Sequence, residues 1–525
     1  MDKIYVLAAD NIEKEGTQLL RDAGFTVEER GKIPADELAT AIPSYDVLIV
    51  RSATKVPASV IENAARLKII GRAGVGIDNV DVAAATARGI IVMNAPEGNT
   101  LSAAEHTLGL ILCLARKIPQ AVSSVKSGKW DRKSYMGTEL YGKTLGIIGL
   151  GRIGRRVAQY GQALGMKILG YDPFVSIEDV QMFGVSLVTL EGLCRQADII
   201  TLHLPLTDQT RGILGEGLFN LMKPGVWIVN VARGGLIDEG LLYRQMVSGK
   251  VAGAAIDVFA QEPPTCKELL ALDNVIATPH LGASTREAQV NVARDICKQV
   301  VDALTRKIVR NAVNVPQIDE DILGRLGRFL SLSEKMGQFI SQMGDGLPDS
   351  ISIEYAGDIT DDDVRPLTAY LLKGFMEKFQ QVTYVNAQLV LREKGVRLHE
   401  LRKESAGEFS SLITVATSFN NSEVSVAGTV VANAPKIVKI DGFDVEATPE
   451  GYLLVCHNDD RPGIMGHIGT ILGKASVNIA SMTLGRREKG GPAITVLNLD
   501  QEISEQTINE IGKFSGIRST RLVKL

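Results

Sequence analysis

The sequence predicts an α/β protein in which two doubly wound parallel sheets precede an α+β module and a final β-α-β-β-α-β module. Three observations lead there. Short apolar runs alternate with amphipathic helical stretches from Ile4 to about residue 310. One run, Thr144 to Leu150, opens into Gly149, Gly151 and Gly154 in G-x-G-x-x-G spacing, then a helical pattern and a second strand ending at Asp172. Past Asn311 the alternation breaks, and residues 451–525 read as four strands and two helices.

The stretch from Lys143 to Pro173 carries the most physics. Its first glycine turns the chain tightly, the second lets a pyrophosphate approach the backbone, and the third packs helix against strand. The helix start presents free N–H groups and the positive end of its dipole to phosphates. An acid closing the second strand, Asp172, can accept both ribose hydroxyls of NAD and repels a 2′-phosphate. A glycine triplet alone is weak in a chain with 52 glycines; strand, triplet, helix, strand and acid in register make a Rossmann-like dinucleotide site.

Composition bounds the rest. A length of 525 residues predicts three or four domains. Net charge is −4, with both signs interspersed, which argues against a nucleic-acid stripe or a basic membrane patch. Five scattered cysteines without a C-x-x-C predict a reducing compartment and no metal site. MDKIYVLAAD passes directly into a strand, without the regions of a signal peptide, and no apolar run reaches transmembrane length. The expectation is a soluble, cytoplasmic protein.

In chain order, strands are expected at Ile4–Ala8, Thr26–Glu28, Asp46–Val50, Lys68–Ile70 and Ile90–Met93, with helices such as Glu13–Ala23 and Ala58–Ala65 between them. This half lacks a fingerprint of its own: GRAGVG, Gly71 to Gly76, misses the third glycine. A small-residue helix, Ser102 to Ala115, leads to the second half. There, strands at Val185–Leu187, Ile199–His203, Trp227–Asn230, Gly253–Asp257 and Val275–Ala277 follow the fingerprint pair. Ligands of an open parallel sheet lie outside the carboxyl ends of its strands. Four successive ends carry Thr210, Arg233, Asp257 with Glu262, and His280 toward one crevice.

At these residues a family resemblance becomes visible. GLGRIG, the Asp172 strand end, NVARGGLIDE, DVFAQEP and TPHLGAST resemble the D-isomer-specific 2-hydroxyacid dehydrogenases. VRSAT, GRAGVGIDNVD, NAPEGNTLSAAEH and KWDRKSYMGTEL narrow the likeness to the phosphoglycerate-oxidising branch of that family. The resemblance implies a discontinuous substrate-binding domain (1–98 and 286–312) around an NAD-binding domain (99–285). It puts the catalytic Arg, Glu and His on Arg233, Glu262 and His280. It extends the cofactor set of Gly149, Gly151, Gly154 and Asp172 to Arg152, Ile153, Leu204, Pro205, Thr210, Val231, Ala232, Asp257 and Gly282. Valine at position 75 departs from the family's threonine, which leaves no side-chain hydrogen bond to expect there.

The residue types suit hydroxyacid oxidation. A base must take the hydroxyl proton as hydride leaves, and imidazole titrates in the right range. A carboxylate partner such as Glu262 fixes the imidazole tautomer and stabilises its cation. A guanidinium clamps the substrate carboxylate bidentately and stays charged. A phosphate on the substrate calls for more cations, and Arg51, Arg72 and Arg132 are the candidates, the last in a segment resembling one that the family lends to a neighbouring subunit.

Past Asn311, Asp319 to Met343 reads as one amphipathic helix, DDD at Asp361–Asp363 as a helix cap, Leu367–Phe379 and Asn386–Lys394 as helices, and Ser411–Phe419, Glu423–Val431 and Lys436–Ile440 as a meander. This module (313–447) resembles the intervening domain of the long-form enzymes of that branch. His399 among Arg397, Arg402 and Lys403 is expected on a solvated face. HNDDRPGIMGHIGTILGKASVNIASM, in 451–525, looks like an ACT domain, a ferredoxin-like amino-acid sensor, with proline expected in the first helical turn. Its ligand contacts would fall on Asn458, Asp460 and Asn478, and L-serine is the ligand that the resemblance implies. The expected activity is oxidation of D-3-phosphoglycerate to 3-phosphohydroxypyruvate with NAD, the opening step of serine biosynthesis, in a homodimer or homotetramer. Two other readings stay open at this point: a hydroxypyruvate or glyoxylate reductase, and a non-enzymatic NAD-sensing protein like the C-terminal binding co-repressors.

Overall fold

The computed structural model describes residues 3–419 and 422–525. Its first sheet is parallel and holds β1 (Tyr5–Ala8), β2 (Thr26–Glu29), β3 (Val47–Val50), β4 (Ile69–Arg72) and β5 (Ile91–Asn94), in the order β2-β1-β3-β4-β5. Strand β3, VLIV, is buried along its whole length because helices cover both faces of the sheet. One of those helices comes from far along the chain. Arg286–Arg306 returns after the second sheet and seals the first with Val292, Ile296 and Val300. Close approach is required: a Cβ at Gly16 would lie 2.6 Å from the Ala293 carbonyl oxygen.

The second sheet is also parallel, with β6 (Thr144–Ile148), β7 (Lys167–Tyr171), β8 (Ser186–Leu187), β9 (Ile199–Leu202), β10 (Val226–Asn230), β11 (Val251–Ile256) and β12 (Val275–Ala277). Its order is β12-β11-β10-β9-β6-β7-β8, so the direction of winding reverses between β6 and β9. That is where a crevice opens at the carboxyl ends of such a sheet. Helix Thr100–Arg116 leads in from the first sheet and is a core helix, burying Ala104, Leu110, Ile111 and Ala115. Among the described residues no single helix is long and apolar enough to cross a membrane.

The third sheet is mixed: β13 (Ser350–Gly357), β14 (Arg397–Lys403), β15 (Ser411–Phe419), β16 (Ser422–Val431), β17 (Ala434–Ile440) and β18 (Phe443–Ala447), ordered β14-β13-β15-β16-β17-β18. Only β13 and β14 run parallel; the other pairs are antiparallel. Helix Glu320–Met343, capped by Asp319 accepting from the Ile322 amide at 2.8 Å, packs on helix Arg365–Met376. Gly337 and Gly374 allow it, each lying against the other helix's backbone with no room for a Cβ. His399 is exposed, as expected, and lies on an edge strand, β14, while β18 extends the meander by a strand. One expectation changes here. The acids 361–363 do not cap jointly: Val364 is the N-cap, and only Asp363 accepts an amide, that of Arg365, at 3.1 Å.

The last sheet is antiparallel: β19 (Tyr452–Asp459), β20 (Ile479–Arg486), β21 (Pro492–Leu499) and β22 (Ile517–Lys524), ordered β20-β21-β19-β22. Pro462 lies ahead of the helix, not in its first turn; Gly463, at φ 95°, is the N-cap of Ile464–Lys474. Alternate residues of β19 go to opposite sides. Leu454 and Cys456 meet the helices, while Leu453 and Val455 join Ile494, Val496 and Val523 in one core with Phe443 and Val445 of β18. Fully burying such a side chain is worth about 1.5–3 kcal/mol. The end of the chain is therefore packed onto the third sheet on a shared core, with no free tether between them.

Candidate active site

The glycine fingerprint fits a dinucleotide by observation. Gly149 has φ 96°, and a Cβ there would lie 2.6 Å from the His203 carbonyl oxygen. Gly154 sits directly against the Gly149 carbonyl. At Gly151, by contrast, a Cβ would meet nothing within 4 Å among the described residues, so that side is open for a phosphate. Gly151 is also the N-cap of helix Arg152–Ala163 and offers no side-chain cap, which leaves the first-turn amides of Arg152, Ile153 and Gly154 for an anion.

At the end of β7, Asp172 accepts the Leu150 amide at 2.9 Å and the Phe174 amide at 3.0 Å, one on each oxygen. Those bonds orient the carboxylate and leave each oxygen a further lone pair. After β9, the Thr210 hydroxyl donates to the Pro205 carbonyl at 2.6 Å and accepts the Thr207 amide at 2.8 Å. It shapes the loop that follows Leu204. Burial pushes the His203 imidazole down to about 3, so this ring is neutral and bonds to Thr201 at 3.0 Å. Val231 and Ala232 follow β10, and Gly282 lies in the turn after β12.

Between the two parallel sheets lies a cavity of about 640 Å³. Arg51 and Arg72 enter it from the first sheet, and Arg233, Glu262 and His280 from the second. Both Glu262 oxygens meet His280 Nδ1, at 3.0 and 3.1 Å, which turns Nε2 to other partners. The Arg233 loop is braced by Asn230, whose Nδ2 donates to the Arg233 carbonyl (2.9 Å) and whose Oδ1 accepts the Ala232 amide (3.1 Å). Arg233 Nη1 donates to the Ala232 carbonyl at 2.7 Å, and Nε lies 3.4 Å from Asp78. Burial, reinforced by the charges of Arg233 and Arg51, pulls the Arg72 guanidinium down to about 10; Asp78 and Asp10 oppose the shift. It stays charged at neutral pH, and among the described residues its buried Nε finds no acceptor.

Residues that sequence reasoning passed over hold this geometry. Asp10, at φ 61°, accepts the Arg51 and Thr54 amides (2.9 and 3.0 Å) and the Thr54 hydroxyl (2.6 Å). Asn79 Nδ2 donates to the Arg51 and Thr54 carbonyls, each at 2.7 Å. An acid closing β1 and an asparagine in GIDNVD were the visible signals, but nothing local says whom they bond. Val75 serves through its carbonyl, which accepts Asn94 Nδ2 at 2.6 Å. Asp257 is fully buried, and its carboxylate is occupied by the turn carrying His280.

Two groups of candidates are not assembled within the chain. Arg132 lies exposed outside the cavity, in a loop with Trp130 (82% exposed) and Met136 (77%). In the last sheet, Asp460 accepts the Gly490 amide at 3.0 Å and Arg486 Nη1 at 2.7 Å, and these bonds hold its carboxyl below the usual range. Asn458 is buried, accepting the Thr495 hydroxyl at 2.9 Å. Asn478 instead donates to Asp500 at 2.6 Å, beside the opposite end of β20.

Comparison with known proteins places this geometry. The NAD-binding domain of the D-isomer-specific 2-hydroxyacid dehydrogenases matches residues 108–282. D-lactate dehydrogenase from Aquifex aeolicus, solved with NAD and lactic acid, is 32% identical and superposes with a TM-score of 0.53 over 59% of this chain and 100% of its own. A glyoxylate reductase from Paecilomyes thermophila gives 29% and 0.56 over 60% and 99%. The first two sheets are those of an NAD-dependent 2-hydroxyacid dehydrogenase. Beyond them, residues 325–441 match the D-3-phosphoglycerate dehydrogenase intervening domain, and 452–516 match the ACT domain. Over 525 residues the chain is 44% identical to D-3-phosphoglycerate dehydrogenase of Archaeoglobus fulgidus (99% of this chain, 100% of the relative). The same-named enzymes of Methanocaldococcus jannaschii and Bacillus subtilis are 42% and 41% identical, each over 99% of this chain and 100% and 99% of their own. The chain belongs to the D-3-phosphoglycerate dehydrogenase family.

Proposed function

We propose that this chain oxidises the C2 hydroxyl of D-3-phosphoglycerate to give 3-phosphohydroxypyruvate, with His280 as the acid–base group. NAD, when bound, supplies the hydride acceptor. His280 Nε2 takes the hydroxyl proton as C2 loses its hydride, and Glu262 holds the ring through Nδ1 and balances the imidazolium. Arg233 clamps the substrate carboxylate, and Arg51 and Arg72 receive the phosphate. The observation that carries the reading is the meeting of a His–Glu pair with three arginines in one cavity between the two parallel sheets. An unphosphorylated 2-oxoacid would leave Arg51 and Arg72 without the phosphate that two converging cations suit, which disfavours the reductase reading.

We place L-serine at the last module as effector, at Asn458 and Asp460 of one copy facing Asn478 of another, in a homodimer or homotetramer. The exposed Trp130–Met136 loop supports contact between subunits and brings Arg132 to a neighbour's cavity. Five free cysteines agree with a reducing, cytoplasmic setting. Initial rates across a panel of 2-hydroxy and 2-oxo acids with both cofactors test the reading. Phosphoglycerate with NAD should give the highest kcat/KM. Faster turnover of unphosphorylated acids, or equal use of NADP, would overturn the substrate or the Asp172 assignment respectively.

A further inference from the structure

The turn that carries His280 is fixed by a carboxylate beneath it. Asp257 Oδ1 accepts the Thr278 hydroxyl at 2.6 Å and the Leu281 amide at 2.7 Å, and Oδ2 accepts the Gly282 amide at 2.9 Å. The Asp257 carbonyl takes the His280 amide at 2.9 Å, and His280 itself is held at φ 57°. A non-glycine residue keeps such a backbone only when its surroundings over-determine it.

One more side chain reaches this network, and it belongs to neither the turn nor the strand below. His106 Nε2 lies 3.3 Å from Asp257 Oδ1 and 3.3 Å from the Thr278 hydroxyl. The direction of these bonds follows from their partners. A carboxylate only accepts, and the Thr278 hydroxyl already donates its hydrogen to Oδ1. Nε2 of His106 must therefore carry a hydrogen, shared between the carboxylate and the hydroxyl oxygen. Burial pushes the Asp257 carboxyl up, but the bonds from His106, Thr278 and the Leu281 and Gly282 amides outweigh it and keep the group ionised.

His106 stands on helix Thr100–Arg116, the element that takes the chain from the first sheet to the second. Ser102 of the same helix bonds Thr285 at 2.7 Å, where the chain crosses back. The cross-over helix thus grips the catalytic turn at one point and the return segment at another.

We infer that His106 is a positioning residue for the oxidation, acting through Asp257 and Thr278 to hold His280 in register with the substrate hydroxyl; the inference rests on the reading of His280 as the acid–base group. His106 touches neither substrate nor cofactor in this role. Its loss lets the turn shift, and a displacement of about 1 Å at a reacting group costs up to roughly 10²-fold in rate. A packing role alone would lower stability and leave the rate per folded molecule unchanged.

The test compares His106→Ala and His106→Gln with the wild type, and repeats His106→Ala in a His280→Ala background. His106→Ala should lower kcat about tenfold while both KM values stay within about twofold, and His106→Gln, which returns a donor near the Nε2 position, should recover most of the loss. In the His280→Ala background the same change should cost less than about twofold, because the group being positioned is gone. NADH-fluorescence titration counts the folded sites in each variant. An unchanged kcat for His106→Ala, or an equal tenfold loss in both backgrounds, overturns the inference while leaving His280 in place. Near-normal turnover of His280→Ala alone removes the acid–base reading and this inference with it. Should His106→Ala fail to fold, Thr278→Val removes the same bridge from the other side and is judged by the same two comparisons.

Discussion

The turn under His280 and the strand end at Asp460 each hold a carboxylate against backbone amides, yet only the first is closed within one chain. Asp257 is fully buried and takes donors from its own turn and from a helix of distant sequence. Among the described residues, Asp460 takes the Gly490 amide and Arg486, both from the neighbouring hairpin. The register sets Asp459 opposite Pro492, and Leu499 opposite Ile479. Seven residues of strand separate those two ends, about 23 Å, so Asn478 cannot share a small ligand with Asp460 of its own chain. Catalysis needs a geometry fixed before the substrate arrives, and one buried network supplies it. In the proposed reading, the serine site therefore takes Asn478 from another copy.

Five measurements sharpen or break this contrast. The largest effect belongs to His280→Ala, which should lower kcat by about 10²–10⁴-fold, the usual contribution of a positioned acid–base group. Steady-state rates decide it, and near-normal turnover would empty the catalytic side of the comparison. Next comes Asp257→Ala, which strands donors that had one buried acceptor and should cost about 3 kcal/mol in denaturant unfolding. The pH behaviour has a definite sign. A carboxyl held low in the fold contributes stability above its unfolded value of about 3.9, and this contribution fades as the pH falls through the lower folded value. Wild-type protein should therefore lose stability below about pH 4, and Asp257→Asn should lack that share of the loss; parallel melts would show otherwise if the carboxylate were unimportant.

Arg233→Lys should raise the substrate KM about tenfold and leave the NAD KM nearly unchanged, because an ammonium cannot reproduce the fork. Equal rises in both would mean that the loop, not the clamp, had been lost. The smallest effect is expected in the last sheet. Asp460→Ala should weaken calorimetric binding of serine about tenfold without altering kcat. No heat with wild-type protein at millimolar serine would show that the module senses something else. Removing residues 451–525 is a poorer probe, since it bares Phe443 and Val445 of β18 and disturbs a core that both modules share.

Much of the architecture was legible because hydrophobic periodicity is local. VLIV and TLGII are continuous apolar runs, as buried parallel strands must be, and the fingerprint glycines announce themselves by spacing. Residue types at strand ends likewise marked Arg51, Arg72, Arg233, Glu262 and His280, which the fold gathers in one cavity. Strand β14, RLHELRK, was missed because an exposed edge strand pairs on one side only and needs no apolar face. β18 was missed because five residues after a tight turn carry too little pattern.

By itself, then, the sequence determined the order of sheets, the dinucleotide turn and the chemical types available to the site, since each depends on residues within a few positions of one another. Only the tertiary structure decided which buried polar groups meet. His106 and Thr278 are 172 positions apart, and Asp10 and Thr54 are 44 apart, yet each pair sits within bonding distance. Such bonds are set by which strand ends and helices face one another across a packed core, and a buried donor must find its acceptor there whatever its distance along the chain.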